Sequence, residues 1–276
     1  MRVHHLNCGT MLPLGGWLMG GQGHPLSTAP LVTHCLLIET DAGLVLVDTG
    51  FGMRCVEQPV QVLGRQFMAA CRPRLDPAET ALRQVIALGH SAEDVRHIVL
   101  THLDLDHAGG LADFPHATVH LHETERQAAA APSSVSEKQR YRPIQWEHGP
   151  DWRTYSGADG ERWFGFEAVR ELAGLPEDIL LVPLAGHSRG HTGVAVRTGD
   201  RWLLHAGDAF FFRGEVDPAR PYCPPGLRVF QTVVQEDGAA RHTNRRRLAD
   251  LVGGHGDQVD VFCAHDLTQL RETSRL

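Results

Sequence analysis

One short run of the chain concentrates residues that bind cations: Ile98-Val99-Leu100-Thr101-His102-Leu103-Asp104-Leu105-Asp106-His107-Ala108-Gly109-Gly110. His102, Asp104, Asp106 and His107 follow directly on an apolar, β-branched stretch. A loop leaving a strand there could aim several ligands at one point. Imidazole and carboxylate together suit Zn²⁺, Fe²⁺ or Mn²⁺, and the lack of thiolates in the run argues against a closed structural zinc site. Even in a chain with 18 histidines, a polar loop with incidental histidines is the weaker reading of such a cluster.

The surrounding pattern supplies elements that could position this loop. Residues 34–40 and 44–48 read as two strands joined by the turn signal Asp41-Ala42-Gly43. Residues 76–88 have helical character, with Asp76 as N-cap, Pro77 at the first helical position and Gly89 as a stop. A strand is expected over 96–100, another over 117–121, and a helix over 123–131. Helix followed by strand, ending in a ligand-bearing loop, suits a layered α/β architecture with its site at strand ends. From 132 to 163 the periodicity breaks down, and Tyr141, Trp146, Trp152, Tyr155 and Trp163 are scattered among Pro, Ser, Gly and charged residues. Long irregular segments in compact domains are usually functional or mobile. Two readings stand side by side: the aromatics form a lid or wall over the site, or they anchor the segment to the core.

Composition narrows the classes. A chain of 276 residues could hold two domains by length, but α/β folds of this size are often single and can bury a substantial core. The net charge of −7 gives no basic footprint, so nucleic acid is not expected as a partner. Arg245-Arg246-Arg247 is the one basic run and reads as the solvated face of a helix. No apolar stretch approaches a membrane span, and the first residues lack the apolar core of a secretory signal. The six scattered cysteines read as reduced thiols, which makes a cytoplasmic location the expectation.

The run at 98–110 resembles the His-x-His-x-Asp-His signature of the metallo-β-lactamase superfamily, with Asp104 where the second histidine is usual. Four further stretches resemble the other motifs of that family, in the expected order. They are Leu44-Val45-Leu46-Val47-Asp48-Thr49-Gly50, Gly186-His187-Ser188-Arg189-Gly190-His191-Thr192, Leu203-Leu204-His205-Ala206-Gly207-Asp208, and Val259-Asp260-Val261-Phe262-Cys263-Ala264-His265-Asp266. The resemblance implies an α/β fold, an αββα sandwich of two mixed sheets packed face to face with helices outside. It implies one domain over 1–276, with the aromatic-rich insertion or lid at about 132–166.

The same resemblance implies a dinuclear site of two divalent ions, Zn, Mn or Fe. His102, Asp104 and His187 would hold one, Asp106, His107 and His265 the other, and Asp208 would bridge them. Two such cations with a bridging hydroxide acidify water and polarise a scissile carbonyl, and Asp106 is the expected catalytic group, moving a proton beside the nucleophile. Asp104 alters the charge of this set: three aspartates put −3 against two divalent ions where the usual pattern has −2, which favours harder ions than Zn²⁺. Asp48 is expected to orient the loop, His191 to orient a ligand through its second nitrogen, and His205 to pack.

Chain length and motif context look most like lactonases that open acyl-homoserine lactones. The expectation is a metal-dependent hydrolase acting on a small-molecule lactone or ester. One departure stands out: Phe211 occupies the position of a tyrosine that assists the carbonyl oxygen in those enzymes, and Tyr222 is a candidate replacement. A thioesterase of the hydroxyacyl-glutathione type is an alternative, with Arg140, Arg142, Arg213 and Arg220 as candidate carboxylate partners. A di-iron oxidoreductase is another, because an acidic residue at position 104 resembles the His-x-Glu-x-Asp-His of that class.

Overall fold

Strict alternation of apolar side chains between 36 and 47 creates a sheet with two buried faces. Leu36, Ile38, Val45 and Val47 point to one side, and Leu37, Leu44 and Leu46 to the other. In the computed structural model, which describes residues 1–156, 161–168 and 172–274, these residues lie in a six-stranded mixed sheet. Its strands run in chain order: β1 (Arg2–Met11), β2 (Leu31–Thr40), β3 (Gly43–Val47), β4 (Val95–Val99), β5 (Thr118–His122) and β6 (Asp151–Tyr155). β1, β2 and β3 are antiparallel, and β3 through β6 are parallel. The hairpin Glu161–Trp163 (β7) and Phe166–Ala168 (β8) leads to a second, four-stranded sheet. That sheet contains β9 (Ile179–Pro183), β10 (Thr192–Thr198), β11 (Arg201–His205) and β12 (Val259–Phe262), in the order β12-β11-β10-β9.

The inward faces of the two sheets share one core: Leu36, Val45 and Val99 from the first, Leu181, Val194 and Phe262 from the second. The outward face of the first sheet is covered by helices Ala81–Ala87 and Glu123–Ala130, through Val85 and Ala128. The outward face of the second is covered by helix Gly238–His255, through Leu248 and Leu251. The order of layers is therefore helix, sheet, sheet, helix, as expected.

Local corrections have local causes. The segment 76–88 is not one helix: Asp76 caps a 3₁₀ turn at Pro77–Glu79, and Thr80 then caps the separate helix Ala81–Ala87 through the Arg83 amide. His122 caps helix Glu123–Ala130 by accepting from the Thr124 amide at 3.2 Å. The basic run on helix Gly238–His255 is partly tied down: Arg245 pairs with Glu215, and Arg247 lies over the Phe166 ring. The segment after Pro132 contains helix Val135–Arg140, begun by a reciprocal Ser134–Glu137 capping box, and strand β6. Its aromatics reach the core: Tyr141 and Trp163 are buried, Trp152 packs on the first helical layer, and Tyr155 stacks on His120. Residues 157–160 of that segment lie outside the described residues. All six cysteines are free thiols. Among the described residues, no helix is long and apolar enough to cross a membrane.

Candidate metal centre

The ligand-type residues arrive from the ends of β4, β11 and β12 and from the β9–β10 connection. After β4 the chain turns sharply, and the His107 and Ala108 amides both donate to the Asp104 carbonyl. The end of β3 clamps this turn. Asp48 accepts from the Thr101 amide and hydroxyl, each at 2.8 Å, and from His107 Nδ1 at 2.7 Å. Asp48 is fully buried and held at φ 56°, a costly conformation for a non-glycine residue that places its carboxylate under the loop. Burial alone would raise its pKa, but the adjoining His107 lowers it on balance, so Asp48 stays a carboxylate. Because it accepts from Nδ1–H, the lone pair of His107 Nε2 is left facing the site.

All seven expected ligands converge. Within one group, Asp104 Oδ2 lies 3.0 Å from His187 Nε2 and 3.4 Å from His102 Nε2. Within the other, Asp106 Oδ2 lies 3.7 Å from His265 Nε2 and 3.9 Å from His107 Nε2. Asp208 stands between them. Its Oδ2 is 3.4 Å from His187 Nε2 and 3.2 Å from His265 Nε2, and its Oδ1 is 3.3 Å from His107 Nε2 and 3.0 Å from His265 Nε2. The ligand atoms of His102, Asp104, His187 and Asp208, and those of Asp106, His107 and His265, form two groups compact enough to hold an ion each.

The chemistry of the donor set fits two cations. His102 Nε2, His107 Nε2 and Asp208 Oδ1 are buried with no hydrogen-bond partner, a costly arrangement in a protein interior unless another group satisfies them. The local field attracts positive charge as well. Burial disfavours the His107 imidazolium, yet Asp208, Asp106 and Asp48 raise its pKa well above 6.5. At His187, burial and then Arg140 push the pKa down to about 4, which keeps its ring neutral and able to donate a lone pair.

Supporting residues fix the rest. His191 donates from Nδ1 to the Leu184 carbonyl and accepts the Asp208 amide at Nε2, so it orients Asp208 through the backbone. That contact also restricts Gly207, at φ 53°: an added Cβ would sit 2.6 Å from His191 Nε2. His265 Nδ1 donates to the Val32 carbonyl at 2.7 Å. Phe211 stacks on the His265 ring at 4.8 Å and closes one side of the site with apolar surface. Tyr222 lies against Phe212, half-exposed, and does not line the site cavity. Asp266 caps helix Leu267–Thr273 and pairs with Arg213. His205 is buried against the His34 carbonyl and Phe262.

Comparison with known proteins agrees with this arrangement. The model of the metallo-beta-lactamase superfamily matches residues 72–255. The chain belongs to the metallo-beta-lactamase superfamily. A Mycobacterium tuberculosis protein named "Probable metallo-hydrolase" is 43% identical over 266 residues, 96% of this chain and 80% of its own length. An N-acyl homoserine lactonase of Bacillus thuringiensis is 30% identical over 99 residues, only 36% of this chain and 40% of that one. A solved N-acyl homoserine lactone hydrolase, with the product N-hexanoyl-L-homoserine at its catalytic metal centre, superposes with TM-score 0.72. That match covers 98% of this chain and 95% of the other at 20% identity, which shows the shared fold. By kinship the chain is a metallo-hydrolase whose relation to the lactonases is distant.

Two buried residues of this superfamily member have roles in the site that the sequence alone does not assign: Glu125 is not singled out there, and Arg140 is a candidate partner for a substrate carboxylate only. Glu125 accepts from the Leu103 amide, the Tyr141 hydroxyl, the Ser188 hydroxyl and the Gly190 amide. It thereby ties the signature loop to the loop that carries His187. Its signal is a carboxylate three and four residues before Ala128 and Ala129, on the apolar stripe of its helix. Arg140 donates from Nη1 to Asp104 Oδ1 and Oδ2, at 2.8 and 2.9 Å, and from Nη2 to the Val234 carbonyl. It corrects the charge count. With the guanidinium included, the three aspartates and Arg140 total −2, the value of the usual ligand pattern. Asp104 therefore does not by itself bias the site toward harder ions than Zn²⁺, contrary to the expectation from the ligands alone. Of the other arginines considered, Arg142 lines the site cavity, whereas Arg213 and Arg220 do not.

Proposed function

We propose that this protein is a metal-dependent hydrolase with a dinuclear centre that opens a lactone or cleaves an ester of a small molecule. The observation that carries the reading is the position of Asp208, whose carboxylate lies within 3.4 Å of His187 in one ligand group and of His107 and His265 in the other, on the floor of a cavity of about 740 Å³. A cavity of this volume takes a small organic substrate. Met11, Leu31 and Phe230 among its lining residues give an acyl chain apolar contact. When bound, two divalent ions supply Lewis acidity at the carbonyl and lower the pKa of water.

The chain's own residues do the remainder. Asp106 lines the cavity, nearly buried, and takes the proton of the attacking water and returns it to the departing alkoxide. His191 and the strand ends hold Asp208 and the histidines in place without rearrangement. Phe211 excludes water beside His265 but offers no proton. The support for esters and lactones over other hydrolysable groups is the apolar lining together with the distant likeness to lactonases.

The test is proton release by Mn²⁺-loaded protein on a panel of homoserine lactones, aliphatic lactones and simple esters, with Asp208→Asn as control. Turnover that disappears in the control supports the reading. A metal-replete protein that cleaves none of them contradicts it.

A further inference from the structure

The cavity above the metal-binding floor has walls of unlike chemistry. Met11, Leu14, Leu31, Phe211 and Phe230 are apolar. Arg65, at the start of helix Arg65–Cys71, and Lys138 and Arg142, in and just after helix Val135–Arg140, are cationic. Among the described residues, the only carboxylates lining the cavity are Asp104, Asp106 and Asp208, all three of them ligand candidates. Among the described residues, no carboxylate lies within ion-pair distance of Arg65, Lys138 or Arg142.

Other arginines near the site do pair, as in Arg140–Asp104 and Arg189–Glu137. Arg142 is held in place at the cavity wall, its Nη2 donating to the Gln61 carbonyl at 2.8 Å. Three cations without carboxylate partners on the wall of one cavity, in a chain of net charge −7, place positive charge apart from the aspartates of its floor. Lys138 is also the only lysine in the sequence.

We propose that Arg65, Lys138 and Arg142 form an anion subsite, so that the substrate is an amphipathic ester or lactone carrying a carboxylate or phosphate away from the scissile bond. This rests on the hydrolase reading above. Guanidinium groups grip such oxyanions in a planar fork and an ammonium adds a point charge, while the apolar wall takes the rest of the molecule.

The experiment compares lactones of equal chain length ending in methyl, carboxylate or phosphate, on metal-loaded protein. The expected kcat/KM favours an anionic tail by about fivefold to tenfold at low salt, the size a few partly solvated ion pairs supply. It should shrink with added salt and fall toward parity in Lys138→Gln/Arg142→Gln. The phosphate arm tells which anion is preferred. Cleavage with no preference for either anion overturns the subsite and leaves the hydrolase reading standing.

If neither lactones nor simple esters are cleaved, that reading fails, and binding decides the subsite instead. Acetylation of the single lysine, followed by mass spectrometry, is measured with octyl phosphate and with octanol present. Protection by octyl phosphate alone, weakened in Arg142→Gln, supports the subsite. Equal modification with both probes overturns it.

Discussion

The two ligand groups that meet at Asp208 are supported in different ways. Around His107 and His265 the support is backbone and β-strand: Asp48 and Thr49 at the end of β3 grip the loop, and Val32 of β2 accepts from His265. Around Asp104 and His187 it is side chains from helices, namely Arg140 at the end of Val135–Arg140 and Glu125 in Glu123–Ala130. The first half is fixed by side-chain hydrogen bonds that residues at the strand ends make or receive. The second depends on a guanidinium and a carboxylate that fold in from outside the sheet, so it is the half whose ligand chemistry can change without disturbing the strands.

Mutations can break this contrast, beginning with the residue common to both halves. Asp208→Asn should lose one of two bound metals and at least about a thousandfold in turnover, as expected when a shared charge is removed from a metal pair. Metal analysis with a normal rate would show that Asp208 bridges nothing. The next effect belongs to the helical half. Asp104→His restores the usual signature but strands Arg140 without its counter-ion, which should cost about 3 kcal/mol in denaturant unfolding. Asp104→His/Arg140→Met should recover most of that loss, and two independent, additive effects would mean that the pair is not a unit.

The sheet-built half is probed by Asp48→Asn. An asparagine cannot both keep the Thr101 bonds and accept from His107, so His107 should shift its proton to Nε2. Chelator competition should then show about 10- to 100-fold weaker binding of one metal, with the other little changed. Equal weakening of both would erase the distinction between the halves. The smallest effect is expected for Ser188→Ala, which removes one of four hydrogen bonds to Glu125 and should cost about 1 kcal/mol.

The contrast also explains what was legible in the sequence. The sheet-built half is local: Asp48, Thr101 and His107 follow apolar strands within a few residues, and alternation fixes which side they face. The strands that carry these residues could be read for that reason, while the ligand set followed from the resemblance of the motifs to a known family. Arg140 was legible only as a candidate anion partner, because its contact with Asp104 spans 36 residues and passes through a segment without periodicity. The order inside that segment comes from a capping box and from pairing of β6 with β5, and Tyr141 and Trp152 then bury against a core built by other elements. Tertiary contacts of this kind leave little trace in local pattern. The net charge around Asp104 differs from that expected of the ligands for the same reason: Arg140, folded against it, adds a cation that the local sequence does not place there.

The most direct test of the account is anomalous diffraction from crystals grown with Mn²⁺. Two peaks are expected, one among His102, Asp104 and His187 and one among Asp106, His107 and His265, each within bonding distance of a different oxygen of Asp208, with Arg140 still on Asp104. A single peak, or two peaks with Asp104 held by Arg140 away from both, would contradict it.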